Sequence, residues 1–168
     1  MIELRLAKVA MAASLALFAF LVTFNNITDF GSNFAFVQHV LSMDTTFPGN
    51  TLTWRAITSP TIWYAGYWLI IIGEGLTCVA YVIGTMALIG KLRASGAEFN
   101  RAKRFVFVGT ALGFLVWFFG FMVIGGEWFA MWQSQTWNGQ PAAFRFYAAL
   151  LGVGIFTALD DRDLARRY

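Results

Sequence analysis

Charge is scarce in this sequence. Charged side chains make up 12% of its 168 residues, about half the share of an ordinary soluble domain. There is one cysteine, Cys78, so no disulfide can form within the chain. No CxxC spacing and no paired histidines occur, which excludes the common zinc sites. His39 is the only histidine, so haem held by two histidines of this chain is excluded as well. No GxSxG elbow is present to seat a hydrolase nucleophile. No repeat of fixed period and no low-complexity tract interrupts the chain, which reads as one domain over residues 1–168.

What fills the space left by charge is apolar. Hydrophobic residues account for 58% of the chain, and the mean hydropathy is +0.62. A chain this small cannot hide that much apolar surface in a water-soluble core. The sequence therefore predicts an all-α membrane protein, a bundle of four transmembrane helices. The apolar stretches run over about 7–24, 61–90, 105–126 and 142–159. Each approaches or exceeds the ~20 residues that cross a bilayer as a helix. Helices are expected because lipid offers the backbone no hydrogen-bond partner. The first stretch also resembles a secretory signal, but "FLVTFNNITDF" after it has no small-x-small cleavage motif. The expectation is a retained helix.

The net charge of +3 does not point to nucleic acid, because the basic residues share no single face. They gather at membrane edges instead. Arg5 and Lys8 open the first helix, and Lys91, Arg93, Arg101, Lys103 and Arg104 fill the loop between the second and third. Arg162, Arg166 and Arg167 follow the fourth. Only Arg55 and Arg145 fall on the other side, so ten of twelve basic residues share one side. That side should be cytoplasmic. Both termini are then inside, in what should be a bacterial inner membrane. Residues 25–60 and 127–141 form an outer cap.

Small residues mark the expected helix seams. The second helix carries Gly66, Gly73, Thr77, Ala80, Gly84 and Ala87 on one face. The third carries Gly109 and Gly113 as GxxxG, followed by Gly120. The first offers Ala12, Ala16, Ala19 and Thr23, and the fourth Ala148 and Gly152. Small residues let helix backbones approach in lipid. The reading is packing within the bundle; homo-oligomerisation through Gly109 and Gly113 is the alternative.

A second face of the second helix holds Tyr67, Ile71, Glu74, Cys78, Tyr81 and Thr85. Glu74 is an ionisable group inside a membrane helix, which is costly and normally faces the bundle or a cavity. At 1.5 Å per residue, Glu74 lies about 24 Å above the cytoplasmic boundary, Arg145 about 21 Å and Asn25 about 25 Å. Glu127 comes out near roughly 33 Å. These residues define an expected polar layer in which Arg145 pairs with Glu74 or Glu127, beside Asn25 or Asn26. The alternative is that Arg145 snorkels to the outer interface.

The cap is unusually polar. "SNFAFVQHVLSM" starts near strand spacing at Phe34 and Phe36 but also fits a short helix with Phe36, Val40 and Met43 on one side, and a helix lying at the interface is expected. "TFPGN" should turn, because Pro48 presets φ and Gly49 tolerates φ > 0. Trp54, Trp63, Trp128, Trp132 and Trp137 are rings suited to headgroup depth. Asn26-Ile27-Thr28 matches a glycosylation sequon set too close to the membrane. His39, Asp44 and Arg55 are expected to organise the cap by hydrogen bonding. A cation held by His39 with Asp29, Asp44 or Glu127 is the sharper alternative. No metal or cofactor is otherwise expected.

"HVLSMDTTFPGN", "WRAIT" and "GGEWFAMWQSQTWNGQ" resemble hallmark stretches of a bacterial family of predicted small integral membrane proteins of unknown function. The resemblance covers nearly the whole chain. It implies a four-helix inner-membrane protein and supplies no activity, substrate or cofactor. The topology is loosely similar to claudin-type proteins, whose cysteine pair is lacking here.

Three functions compete. The first is a non-enzymatic accessory or scaffold subunit that docks a partner membrane protein. The second is a small transporter or channel using Glu74 and Arg145. The third is a membrane enzyme or metal site around His39, which requires His39, Asp44 and Glu127 to converge. Besides the lipid bilayer, the expected partners are a membrane protein or further copies of the chain.

Overall fold

Apolar runs without internal proline have one way to satisfy their backbone in lipid, and the computed structural model, which describes residues 2–164, takes it throughout. Arg166 and Arg167, counted above among the basic residues after the fourth stretch, lie outside the described residues. No strand occurs among the described residues. In chain order the helices are α1 (Ile2–Thr28), α2 (Phe30–Ser42), α3 (Pro60–Gly90), α4 (Gly96–Ala102), α5 (Arg104–Phe114) and α6 (Gln140–Ala158). Beyond Phe114 the chain keeps winding in a wider π-helical form, Leu115–Trp128. Four helical stretches are long and apolar enough to cross a membrane: α1, α3, the run Gly96–Trp128 and α6.

Local chemistry explains where the elements start and stop. Pro60 follows Ser59 at the start of α3, where its missing N–H is not needed. Ser95 and Glu98 form a reciprocal capping box at the start of α4. Met43 closes α2 in the left-handed region at φ 52. The expected turn at "TFPGN" is present, with Gly49 at φ 78 and Asn50 N–H bonded to Phe47 O at 3.1 Å. Two boundaries differ from expectation. α1 runs on to Thr28, so Asn25 and Asn26 are helical rather than part of a loop. Nothing in "FNNIT" breaks a helix, and continuing it keeps the backbone bonded. The third span is not regular either. Glycine at 120, 125 and 126 weakens ordinary helical winding, and Phe129 N–H bonds five residues back to Ile124 O at 3.0 Å.

α3 is the central helix. It buries 39% of its most apolar window, against 28, 22 and 22% for the other three spans. It packs along α1 on one side and α5 on the other, while α6 closes against α5 and the π segment. Close approach rests on glycine. A Cβ on Gly84 would sit 2.8 Å from the backbone nitrogen of Val106, and one on Gly109 would sit 3.0 Å from the Tyr81 ring. Gly73 abuts Val116, and Gly113 abuts Leu150, Trp117 and Thr77. Gly109 and Gly113 are thus occupied within the bundle. Ala12, Ala16 and Ala19 are buried on α1. The seam expected on α6 is not one: Ala148 and Gly152 are exposed, and nothing lies within 4 Å of a Cβ added to Gly152. Large apolar side chains such as Leu69, Met86 and Ile155 point out of the bundle, as lipid-facing residues do.

The end of the bundle carrying residues 2 and 164 holds an ionic cluster. Arg5, Lys8, Lys103 and Asp161 are all buried there. The ammonium groups of Lys8 and Lys103 each lie 2.6 Å from Asp161 Oδ2. Arg5 donates to the carbonyls of Leu92, Ala94 and Arg162 at 3.0, 2.7 and 2.9 Å. Asn100 Nδ2 donates to Asp161 O, and Asp161 N–H donates to Asn100 Oδ1. The start of α1, the α3–α4 turn, α4 and the segment after α6 are therefore tied at one point. Basic residues that read as edge markers in the sequence are internal here. Burial alone would raise the Asp161 carboxyl, but Lys103 and Lys8 outweigh it and hold it below the ordinary carboxylate range.

Gly84→Leu should destabilise the bundle by about 1–3 kcal/mol through overpacking, while Gly152→Ala should be neutral or stabilising by up to about 1 kcal/mol. Thermal unfolding in a mild detergent reads both. Asp161→Asn removes the shared anion of a buried cluster and should cost about 3 kcal/mol or more. Because the folded-state carboxyl is depressed, its stabilisation is present at neutral pH and is lost as pH falls through the lowered value. Acid should therefore lower the melting temperature of the unaltered protein more than that of Asp161→Asn.

Candidate functional site: a cavity over Glu74

The opposite end of the bundle, covered by α2, contains a cavity of about 410 Å³. Its floor is built from one face of α3. Tyr67 and Glu74 are seven residues apart, two helical turns, so both project toward the last turn of α1. There Asn26 meets them. Asn26 Nδ2 donates to Glu74 Oε2 at 2.7 Å, and the Tyr67 hydroxyl donates to Asn26 O at 2.7 Å. Glu74 is 2% exposed and Tyr67 also 2%. No donor among the described residues reaches Glu74 Oε1, and no cationic side chain pairs with the carboxyl.

Aromatic rings form the walls. Trp117 and Phe121 come from the π segment and Phe146 from α6. Trp117 stacks edge-on against Phe146, 5.8 Å between centroids. Phe36 of α2 and Trp137, from the loop before α6, stand closer to α2. Asn33, Ser32, Asn138 and Thr136 add small polar groups. No lysine, arginine or histidine lines the space.

The expected polar layer is thus only partly assembled. Asn26 and Glu74 are joined, whereas Asn25, Arg145 and Glu127 are exposed. Arg145 forms no ion pair among the described residues, so the expected pairing with Glu74 or Glu127 is corrected. The reason is azimuth. Equal height along an axis says nothing about direction, and neighbouring helical residues point about 100° apart. Asn26 therefore faces α3 while Asn25 turns away.

The residues expected to organise the cap lie behind this cavity. His39 Nδ1 is 2.8 Å from Asp44 Oδ2. The imidazole stacks on the cavity-lining Trp137, 4.7 Å between ring centroids and 14° between planes. Arg55 donates to Trp128 O at 3.2 Å. Its guanidinium lies 4.6 Å from the Trp128 ring and 5.3 Å from that of Trp54. Glu127 does not join His39 and Asp44, and no three metal-ligating side chains converge among the described residues. Trp117, Phe121 and Phe146 were not expected as cavity walls. The only signal was a phenylalanine-rich third span, which looks the same whether its rings meet lipid or a cavity.

Among the described residues, four helical stretches long and apolar enough to cross a bilayer, with a buried carboxyl in a half-open pocket between them, fit an integral membrane protein. The family described as predicted small integral membrane protein (DUF2165) matches residues 4–160, and the chain belongs to it. Its function is unknown. No curated protein and no solved structure matches the chain.

Asn26 holds the site together, and this can be measured. Asn26→Leu strips Glu74 of its donor and should cost about 1–3 kcal/mol, against about 1 kcal/mol for Tyr67→Phe. Tyr67→Phe removes the bond to the Asn26 backbone carbonyl, which Asn26→Leu leaves in place, so the two losses should nearly add. A double-mutant cycle on thermal unfolding checks this, and a double variant that loses clearly less than the sum would mean the three residues act as one unit.

Proposed function

We propose that this protein is a non-enzymatic binding subunit of the membrane. It receives a small ligand in the Glu74 cavity and acts as an accessory component to a partner membrane protein. The observation that carries this reading is Glu74 itself: a buried carboxyl on the floor of a half-open cavity, oriented by one amide. Maintaining an ionisable group inside a membrane bundle is costly, and such groups default to a functional role. Among the described residues no nucleophile–base pair stands around it, which favours binding over catalysis. The α2 end is proposed to face outward and both termini the cytoplasm of a bacterial inner membrane. Support comes from the ten basic residues assigned to the terminal side.

A small transporter is the second reading, favoured by the same buried carboxyl. The route away from α2 weighs against it. Beneath Glu74 the space is filled by Trp117, Thr77, Tyr81 and Leu150, all buried. The Tyr81 hydroxyl is engaged with Thr110 Oγ1 at 3.0 Å. Farther on, the cluster of Arg5, Lys8, Lys103 and Asp161 closes the bundle. A transport cycle would have to open both.

Native mass spectrometry of the protein, tagged at its natural expression level and gently extracted, tests the accessory role. The expected result is a reproducible complex with another membrane protein. A lone monomer or a homo-oligomer would overturn that role and make liposome transport with Glu74→Gln the next assay.

A further inference from the structure

We propose that the ligand of the Glu74 cavity carries an ammonium group, seated between the Glu74 carboxylate and the aromatic walls. This rests on reading the cavity as a binding pocket. Charge gives the first argument. The cavity is lined by one carboxyl and by no lysine, arginine or histidine, and Arg145 is exposed elsewhere. An anionic ligand would meet like charge and find no cation. A purely apolar ligand would leave a buried carboxyl without a counterpart, which is unfavourable.

Ring chemistry gives the second. Trp117, Phe121, Phe146, Phe36, Trp137 and Tyr67 surround the space, and aromatic faces attract organic cations through their quadrupole. Tryptophan is the best such ring, and two are present. Hydrogen bonding gives the third. Asn26 occupies Glu74 Oε2, whereas Oε1 has no donor among the described residues. Glu74 Oε1 is not sealed off from the cavity, and an accessible acceptor there is a seat for an incoming N–H or cation. Asn33, Ser32, Asn138 and Thr136 offer further oxygens for a hydroxyl or a second N–H. The volume of about 410 Å³ suits a small molecule. The same group could arrive on a free amine or on the ethanolamine or choline headgroup of a lipid.

The test uses the whole purified protein in dodecyl maltoside. Choline and phenethylamine are titrated against 3,3-dimethylbutanol, the uncharged isostere of choline, and against benzoate. Tryptophan fluorescence and melting temperature are read, because Trp117 and Trp137 line the cavity. Choline or phenethylamine should give a saturable change, and Glu74→Gln should weaken it by about thirtyfold or more. Should Glu74→Gln fail to fold, preference for choline over its isostere on the unaltered protein makes the same discrimination. Nanodiscs of phosphatidylglycerol, with and without phosphatidylethanolamine, then separate the sources. Competition by the ethanolamine lipid assigns the site to a headgroup, and no competition assigns it to a free amine. The isostere or benzoate binding as tightly as choline overturns the ammonium class while leaving the pocket standing. No saturable response to any probe, in detergent or in either nanodisc, overturns the pocket as well.

Discussion

The approach of α3 to its neighbours is the contact on which the rest of this protein depends. In lipid no hydrophobic force drives helices together, so attraction has to come from backbones packed at close range. Gly84 lets α3 lie directly against the backbone at Val106, and Gly109 receives the flat face of Tyr81. Ala12, Ala16 and Ala19 do the same for α1. Once α3 is enclosed on these sides, its other face, with Tyr67 and Glu74, has to point inward too. The buried carboxyl is therefore a consequence of where the small residues fall.

The two ends of the bundle solve the problem of buried charge differently. At the terminal end, three cations surround Asp161 and spend their remaining donors on carbonyls. Arg5 Nε, 4.0 Å from Asp161 Oδ1, is buried without a hydrogen bond, but the other contacts tie four segments together at one point. At the α2 end, Glu74 has an amide donor on one oxygen only, and the space above it is left open. His39, 2.8 Å from Asp44 Oδ2, stacks on Trp137, one of the rings that line the cavity.

Much of this was legible in the residues. Four spans, the helix after Asp29, the turn at Gly49 and the small-residue seams of α1, α3 and α5 all follow from composition and spacing. So does the importance of Glu74. The pairing of Arg145 did not follow, because counting residues yields height without direction. Ala148 and Gly152 have seam-like spacing yet face outward, since small residues permit close packing without requiring it. Arg5, Lys8 and Lys103 looked like edge markers because a lysine that snorkels and a lysine buried on an aspartate are identical in sequence.

Sequence by itself determined the solvent of this protein, its helical class and which helix carries the costly group. Those properties depend on how many apolar residues follow one another, which is local information. Tertiary structure alone decided which asparagine meets Glu74, which aromatic rings wall the cavity and that Asp161 gathers three cations. Each of these depends on the relative rotation of helices far apart in the chain, set by side-chain packing that no local pattern encodes.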